Sequence, residues 1–141
     1  MFSLIITIIS IALVAALAVA TIYYGGDAFN QGTTKAKAST IVNQAQQVAG
    51  ANTLFKSNTG SFASDVSALV SNAYLGSAPV SADLDVTYSV DSNNLVSATL
   101  KSTAGEICKQ INIIAGQADG STATGKQFSC NTSTMAVSFK G

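Results

Sequence analysis

The sequence predicts an α+β protein: one long N-terminal helix leading into a small head of short helices and antiparallel strands. Three observations carry this. The chain opens with an uncharged run from Met1 to Tyr24, an apolar stripe at helical spacing resumes after residue 33, and paired strand-like runs appear in the C-terminal half.

The opening run (MFSLIITIISIALVAALAVATIYY) contains no charge, proline or glycine, and the first charged side chain is Asp27. It exceeds the roughly 20 apolar residues a helix needs to cross a bilayer. In lipid a helix is also the only single segment that satisfies its own backbone hydrogen bonds. Ala12, Ala15, Ala16, Ala18 and Ala20 let a second helix approach closely, which favours helix association in lipid. The run therefore reads both as a membrane span and as a surface that packs against copies of itself. It lacks the basic n-region of a signal peptide and is longer than one. The flanking positive charge that orients an anchor is missing too, since the nearest lysines are Lys35 and Lys37. A charged leader that preceded Met1 and was removed is the expected origin of such a terminus.

Composition narrows the chemistry. Seven lysines balance seven acids, and histidine, arginine and tryptophan are absent from the 141 residues. No basic footprint argues for nucleic acid, and most of the usual catalytic bases and metal ligands are missing. No cofactor and no enzymatic activity are expected. Ser, Thr, Asn and Gln are abundant after residue 30, giving an uncharged polar surface with weak self-repulsion. The two cysteines, Cys108 and Cys130, lie beyond the span and in an exported domain are expected to form a disulfide. Two free thiols are the alternative, and two cysteines without histidine cannot close a zinc shell.

Gly25-Gly26 follow the apolar run, and two glycines weaken a helix by about 2 kcal/mol relative to alanine. A local unwinding or kink is expected between Tyr24 and Asp27, either as a simple hinge or as a melt that lets the helix stretch in an assembly. Ile41, Ala45, Val48, Asn52 and Phe55 then fall on one helical face, flanked by Val42, Ala49 and Leu54. Residues 1 to about 55 thus read as one interrupted helix whose second half lies against the head. Lys56 to Gly60 (KSNTG) is a turn-rich break. Ser64 reads as the N-cap of a short helix over residues 65 to 74, with Gly76 as its stop. Val86 to Val90 and Leu95 to Lys101, separated by Asp91-Ser-Asn-Asn94, read as an antiparallel hairpin. Ala104 to Ala115 returns to helical period, with Ile107, Cys108, Ile111, Ile114 and Ala115 on one face. Asp119 to Lys126 is a loop, and strands are expected at Gln127 to Cys130 and Met135 to Phe139.

Few motifs suggest chemistry. Asp83 and Asp85 read as two solvated carboxylates rather than a catalytic or calcium pair. Gly120 to Lys126 lacks phosphate-loop spacing. Asn131-Thr132-Ser133 matches a glycosylation sequon formally, and in an exported bacterial protein the match alone carries little weight.

Together these features resemble the type IV pilins and the related pseudopilins. The resemblance rests on the uncharged N-terminal helix, its amphipathic continuation, and the segment Leu54 to Val80. In pilins a Tyr-Lys-x-x-x-Gly-x-Tyr-Pro pattern marks the helix exit before a short helix and a Gly-Tyr-Leu stop. Here Phe55, Lys56, Gly60, Phe62 and Tyr74-Leu75 match it. The Cys108 and Cys130 pair resembles the C-terminal disulfide of many major pilins, and the cysteine-bearing helix looks like the type IVb branch. The sequence departs from pilins at the fifth residue, where a glutamate is usual and Ile5 stands here; no acid precedes Asp27.

The resemblance implies a pilin-like ladle fold, a long N-terminal helix packed on an antiparallel sheet, with one C-terminal disulfide. Its parts would be a membrane or filament-core helix at 1–26, the amphipathic half of that helix at 27–56, and an α+β head at 57–141. It implies a structural subunit that sits in the inner membrane and then polymerises into a surface filament with identical subunits, helped by pilus assembly machinery. The filament could serve attachment, motility, conjugation or DNA uptake. A secretion-system pseudopilin and a membrane-anchored monomeric binding domain are the alternatives. The expected assembly contacts are Leu4, Ile5, Ile8, Leu13 and Ala16, with Gly25 and Gly26 as the melt and Met1 as the site of processing and N-methylation. Without a carboxylate at position 5, association is expected to rest on packing, and the terminal amine on polar atoms such as the Ser3 or Thr7 hydroxyls or backbone carbonyls.

Overall fold

The apolar stripe that resumes after residue 33 is the wall against which the head is built. A computed structural model describes residues 1–80, 85–101, 103–117, 120 and 126–141. The chain divides into two compact units, Met1–Thr34 and Lys35–Gly141. The first helix, α1 (Phe2–Thr59), supplies all of the first unit except Met1 and continues into the second.

In the second unit α1 buries Ala38, Ile41, Val42, Ala45, Val48, Ala49, Ala51 and Asn52, the face expected from the spacing. Leu54, expected to flank that stripe, is instead 60% exposed, because it stands about 160° around the helix from Asn52. Opposite lies a four-stranded antiparallel sheet of order β1-β2-β4-β3. Its strands are β1 (Thr87–Val90), β2 (Leu95–Thr99), β3 (Phe128–Asn131) and β4 (Ala136–Lys140). Side chains alternate across a strand, so Tyr88, Val90, Val96, Ala98, Val137 and Phe139 join the α1 stripe in one core. On the other face the register places Ser89, Ser97, Ser138 and Ser129 in one row across all four strands. The expected hairpin forms with Val90 opposite Val96, each strand within one or two residues of its expected limits.

Several expectations are corrected. α1 remains helical through Gly25-Gly26. The penalty of two glycines is spread along a cooperative helix in which each added residue contributes its own hydrogen bond, and it is too small to break the run. The turn-rich segment Lys56–Thr59 is the last turn of α1; the helix ends only at Gly60, whose φ of 86° reverses the chain while its N–H donates to the Lys56 carbonyl. The short helix α2 (Val66–Ser71) is capped at Asp65 rather than Ser64. It stops at Ala73, which takes the left-handed conformation at φ 60° while the Tyr74 and Leu75 N–H groups turn back to the Leu69 carbonyl. Gly76 is not its stop. Helix α3 (Gly105–Ile114) buries Cys108, Ile111 and Asn112. Ile114, expected on that face, is 44% exposed, because the polar Asn112 takes the inward position.

Three buried asparagines organise the head. The Asn52 Nδ2 donates to the Asn94 Oδ1 at 2.8 Å, and its Oδ1 accepts the Ala63 N–H at 2.9 Å. Asn94, in the β1–β2 turn at φ 59°, donates to the Thr53 hydroxyl, and its carbonyl accepts the Gly141 N–H. One carboxamide thus ties α1 to its exit loop, to the hairpin and through it to the end of β4. Asn112 does the same for the edge of the sheet: its Oδ1 accepts the Cys130 N–H and its Nδ2 donates to the Cys130 carbonyl, both at 2.8 Å. It pairs with β3 as a neighbouring strand would, and so covers part of an edge that would otherwise invite other chains.

Truncating Asn52 to alanine leaves the Ala63 N–H and the Asn94 carboxamide without these partners in a buried site. The expected cost is about 3 kcal/mol, measured by denaturant unfolding of the full chain in detergent micelles; a loss under about 1 kcal/mol would refute the clip. Burial also pushes the Tyr88 phenol up to about 12 from its ordinary 10.0; its hydroxyl donates to the Gln44 Oε1 at 2.7 Å. Because the folded value is the higher one, this contribution to stability is whole below pH 10 and is lost as pH rises through about 12. Alkaline absorbance titration should show one of the 4 tyrosines ionising only near that limit. The step should vanish in Tyr88→Phe.

Candidate functional site

The first unit presents one chemical feature, an apolar helical surface with no cover. From Met1 to Tyr24 every residue is exposed. The hydroxyls of Thr7, Ser10 and Thr21 are turned back onto the helix itself. Thr7 donates to the Leu4 carbonyl at 2.8 Å, Ser10 to the Ile6 carbonyl at 2.8 Å and Thr21 to the Ala18 carbonyl at 2.9 Å. A hydroxyl satisfied by its own helix can enter an apolar surrounding without losing a hydrogen bond. This stretch gives α1 the length and apolar character to cross a membrane.

The expected assembly residues Leu4, Ile5, Ile8, Leu13 and Ala16 all lie on this surface. They do not form a single stripe: at 3.6 residues per turn they spread over about half of the circumference. Nothing separates them from their neighbours, since Leu13 is 60% exposed and Leu17 64%. A shallow apolar groove runs instead along Ser10, Ile11, Val14, Ala15 and Ala18, where the alanines lower the surface. Gly25 and Gly26 continue the helix, and a Cβ added at either would meet nothing within 4 Å. Space therefore does not require glycine there. Met1 is fully exposed at the start of the same surface.

Tyr23 and Tyr24, which the sequence reading passed over, close the apolar run with an edge-to-face pair at 5.6 Å. Tyrosines at the end of an apolar span sit where hydrocarbon meets headgroups, and that rule was available from sequence.

In the head, the helix-exit residues come together. Phe55 meets Tyr74 edge to face at 5.4 Å, the Lys56 Nζ lies 4.1 Å from the Phe62 ring centre, and the Asn58 Nδ2 donates to the Tyr74 hydroxyl. Cys108 and Cys130 form the expected disulfide, with Cα atoms 5.4 Å apart. Closing a loop of this length contributes about 3 kcal/mol under the chain-entropy model. A binding module would need a concave site with convergent polar or aromatic groups. The head's groove between α2 and β1 offers Asp65, Ser67, Pro79 and Val80, and Tyr88 at its wall spends its hydroxyl on Gln44. The Asp65 carboxyl is held below its ordinary value, first by the Ser67 hydroxyl, and it is fully solvated. Asp85 pairs with Lys101 at 3.0 Å on the surface, and its expected companion Asp83 lies outside the described residues. Of the Asp119 to Lys126 loop, only Gly120 and Lys126 are described. Among the described residues no three potential metal ligands cluster.

The chain matches no family model, no curated protein and no solved structure.

Proposed function

We propose that this chain is a structural subunit of the type IV pilin kind, held first in the inner membrane by its N-terminal helix and then assembled with identical copies into a surface filament. The observation that carries this reading is the uncovered apolar surface from Phe2 to Tyr24, joined in one helix to a stripe that is buried in a folded head. A surface of that size must be covered by lipid or by protein. Alanines at 12, 15, 16, 18 and 20 make close approach of a second copy favourable. Assembly exchanges lipid neighbours for protein neighbours around the helix, a step that consists of packing and involves no bond making. The pilus assembly machinery would extract the subunit and seat it, and N-methylation would fall on the terminal amine at Met1. The disulfide in the head fits an oxidising compartment beyond the cytoplasm.

Negative-stain microscopy of material sheared from producing cells should show filaments that contain this chain. Recovery of the chain only as a membrane-bound monomer would overturn the proposal. Ile5→Glu separates packing from charge pairing: filament yield should stay level or fall. A large gain would mean that a missing carboxylate limits assembly.

A further inference from the structure

The sequon that the sequence alone left without weight lies in an arrangement that gives it a use. Asn131-Thr132-Ser133 is the only Asn-X-Ser/Thr triplet in the chain, and its middle residue is not proline. Asn131 ends β3 and begins the turn into β4, exposed and on the sheet face that carries the row of serines. Its Oδ1 accepts the N–H groups of Ser133 and Thr134, at 2.9 and 3.2 Å. Its Nδ2 donates to none of the described residues. Two donors on the carboxamide oxygen fix the orientation of the group, and the residue itself is exposed. The preceding residue, Cys130, is fixed by the disulfide and by the two hydrogen bonds it shares with the Asn112 carboxamide. The acceptor therefore stands on an immobile base at an accessible hairpin tip.

We propose that Asn131 is an N-glycosylation site, modified on the non-cytoplasmic side of the membrane by a separate transferase that uses an oligosaccharide on a polyprenyl pyrophosphate. The Asn131 nitrogen forms a bond to the anomeric carbon of the sugar. The bond from that carbon to the pyrophosphate oxygen breaks, and the lipid pyrophosphate leaves with the electron pair. The proton lost from Nδ2 passes to a base of the transferase. The Ser133 hydroxyl is the second recognition element, two residues beyond the acceptor. A hydrated glycan here would also serve the head physically. The surface has little charge to keep copies apart, and β3 is an edge strand on which a bulky polar group blocks pairing with foreign strands. The site is independent of whether the chain polymerises.

The test is co-expression of the full chain with a transferase that accepts Asn-X-Ser/Thr without an acidic residue before it, together with its lipid-linked donor and a known acceptor protein in the same cells. Intact mass should show one glycan, mapped to Asn131 by peptide sequencing. The glycan should be absent from Asn131→Gln and from Ser133→Ala, and retained in Ser133→Thr. An unmodified wild-type chain beside a modified control acceptor would overturn the proposal. So would modification seen only when Cys108 and Cys130 are both changed to serine, since the folded hairpin would then be shielding the triplet.

Discussion

Among the described residues nothing covers the apolar surface from Phe2 to Tyr24, and the rest of the molecule has to be understood around that fact. A helix apolar on every side is stable only in an apolar surrounding. The sequence prepares it for one: charge is excluded until Asp27, each of Thr7, Ser10 and Thr21 returns its hydroxyl to its own helix, and Tyr23 and Tyr24 mark where the apolar run ends. Alanine rather than leucine at several positions keeps the surface shallow enough for a second helix. The same residues thus suit lipid and suit protein, and the proposed exchange would need the two surroundings to be close in free energy.

The head solves a different problem. A unit of this size has a limited core, and it spends part of α1 as the central wall of that core. Buried carboxamides then do what additional apolar residues could not: they fix which pieces meet. Asn52 sets the hairpin and the exit loop against α1, and Asn112 sets α3 against β3 beside the disulfide. Because every such carboxamide is satisfied, each specifies an arrangement without a desolvation penalty left over. Among the described residues no buried side-chain polar atom lacks a partner.

Much of this was legible in the sequence, and the misses share a cause. Periodicity found the α1 stripe, the hairpin and the α3 helix, because burial imposes a period that the residues must obey. It failed where a polar residue took an apolar place. Asn112 displaced Ile114 from the inward face of α3, and no periodicity of hydrophobic residues could announce that. Turn chemistry failed in a second way. The segment from Lys56 to Thr59 looked like a break but is helix until Gly60, and Ala73 rather than Gly76 takes the left-handed turn after α2. Local preferences of a few tenths of a kcal/mol per residue yield to packing. Gly25-Gly26 show the converse, a pair whose composition suggests a break and whose helical neighbours carry the chain through. The candidate surface was legible as a whole, from length and composition, while its individual contact residues were not. A surface that is apolar on all sides offers no stripe to read.

The central claim is that this surface changes its cover from lipid to copies of the same chain. A nitroxide placed at position 13 through Leu13→Cys, with Cys108 and Cys130 kept oxidised, reports that cover directly. In membranes the label should collide freely with oxygen and be shielded from a water-soluble nickel chelate. In sheared filaments both collisions should fall, and spectral broadening should reveal labels on neighbouring copies. A label that stays open to the nickel chelate in both states, with no broadening, would contradict the account.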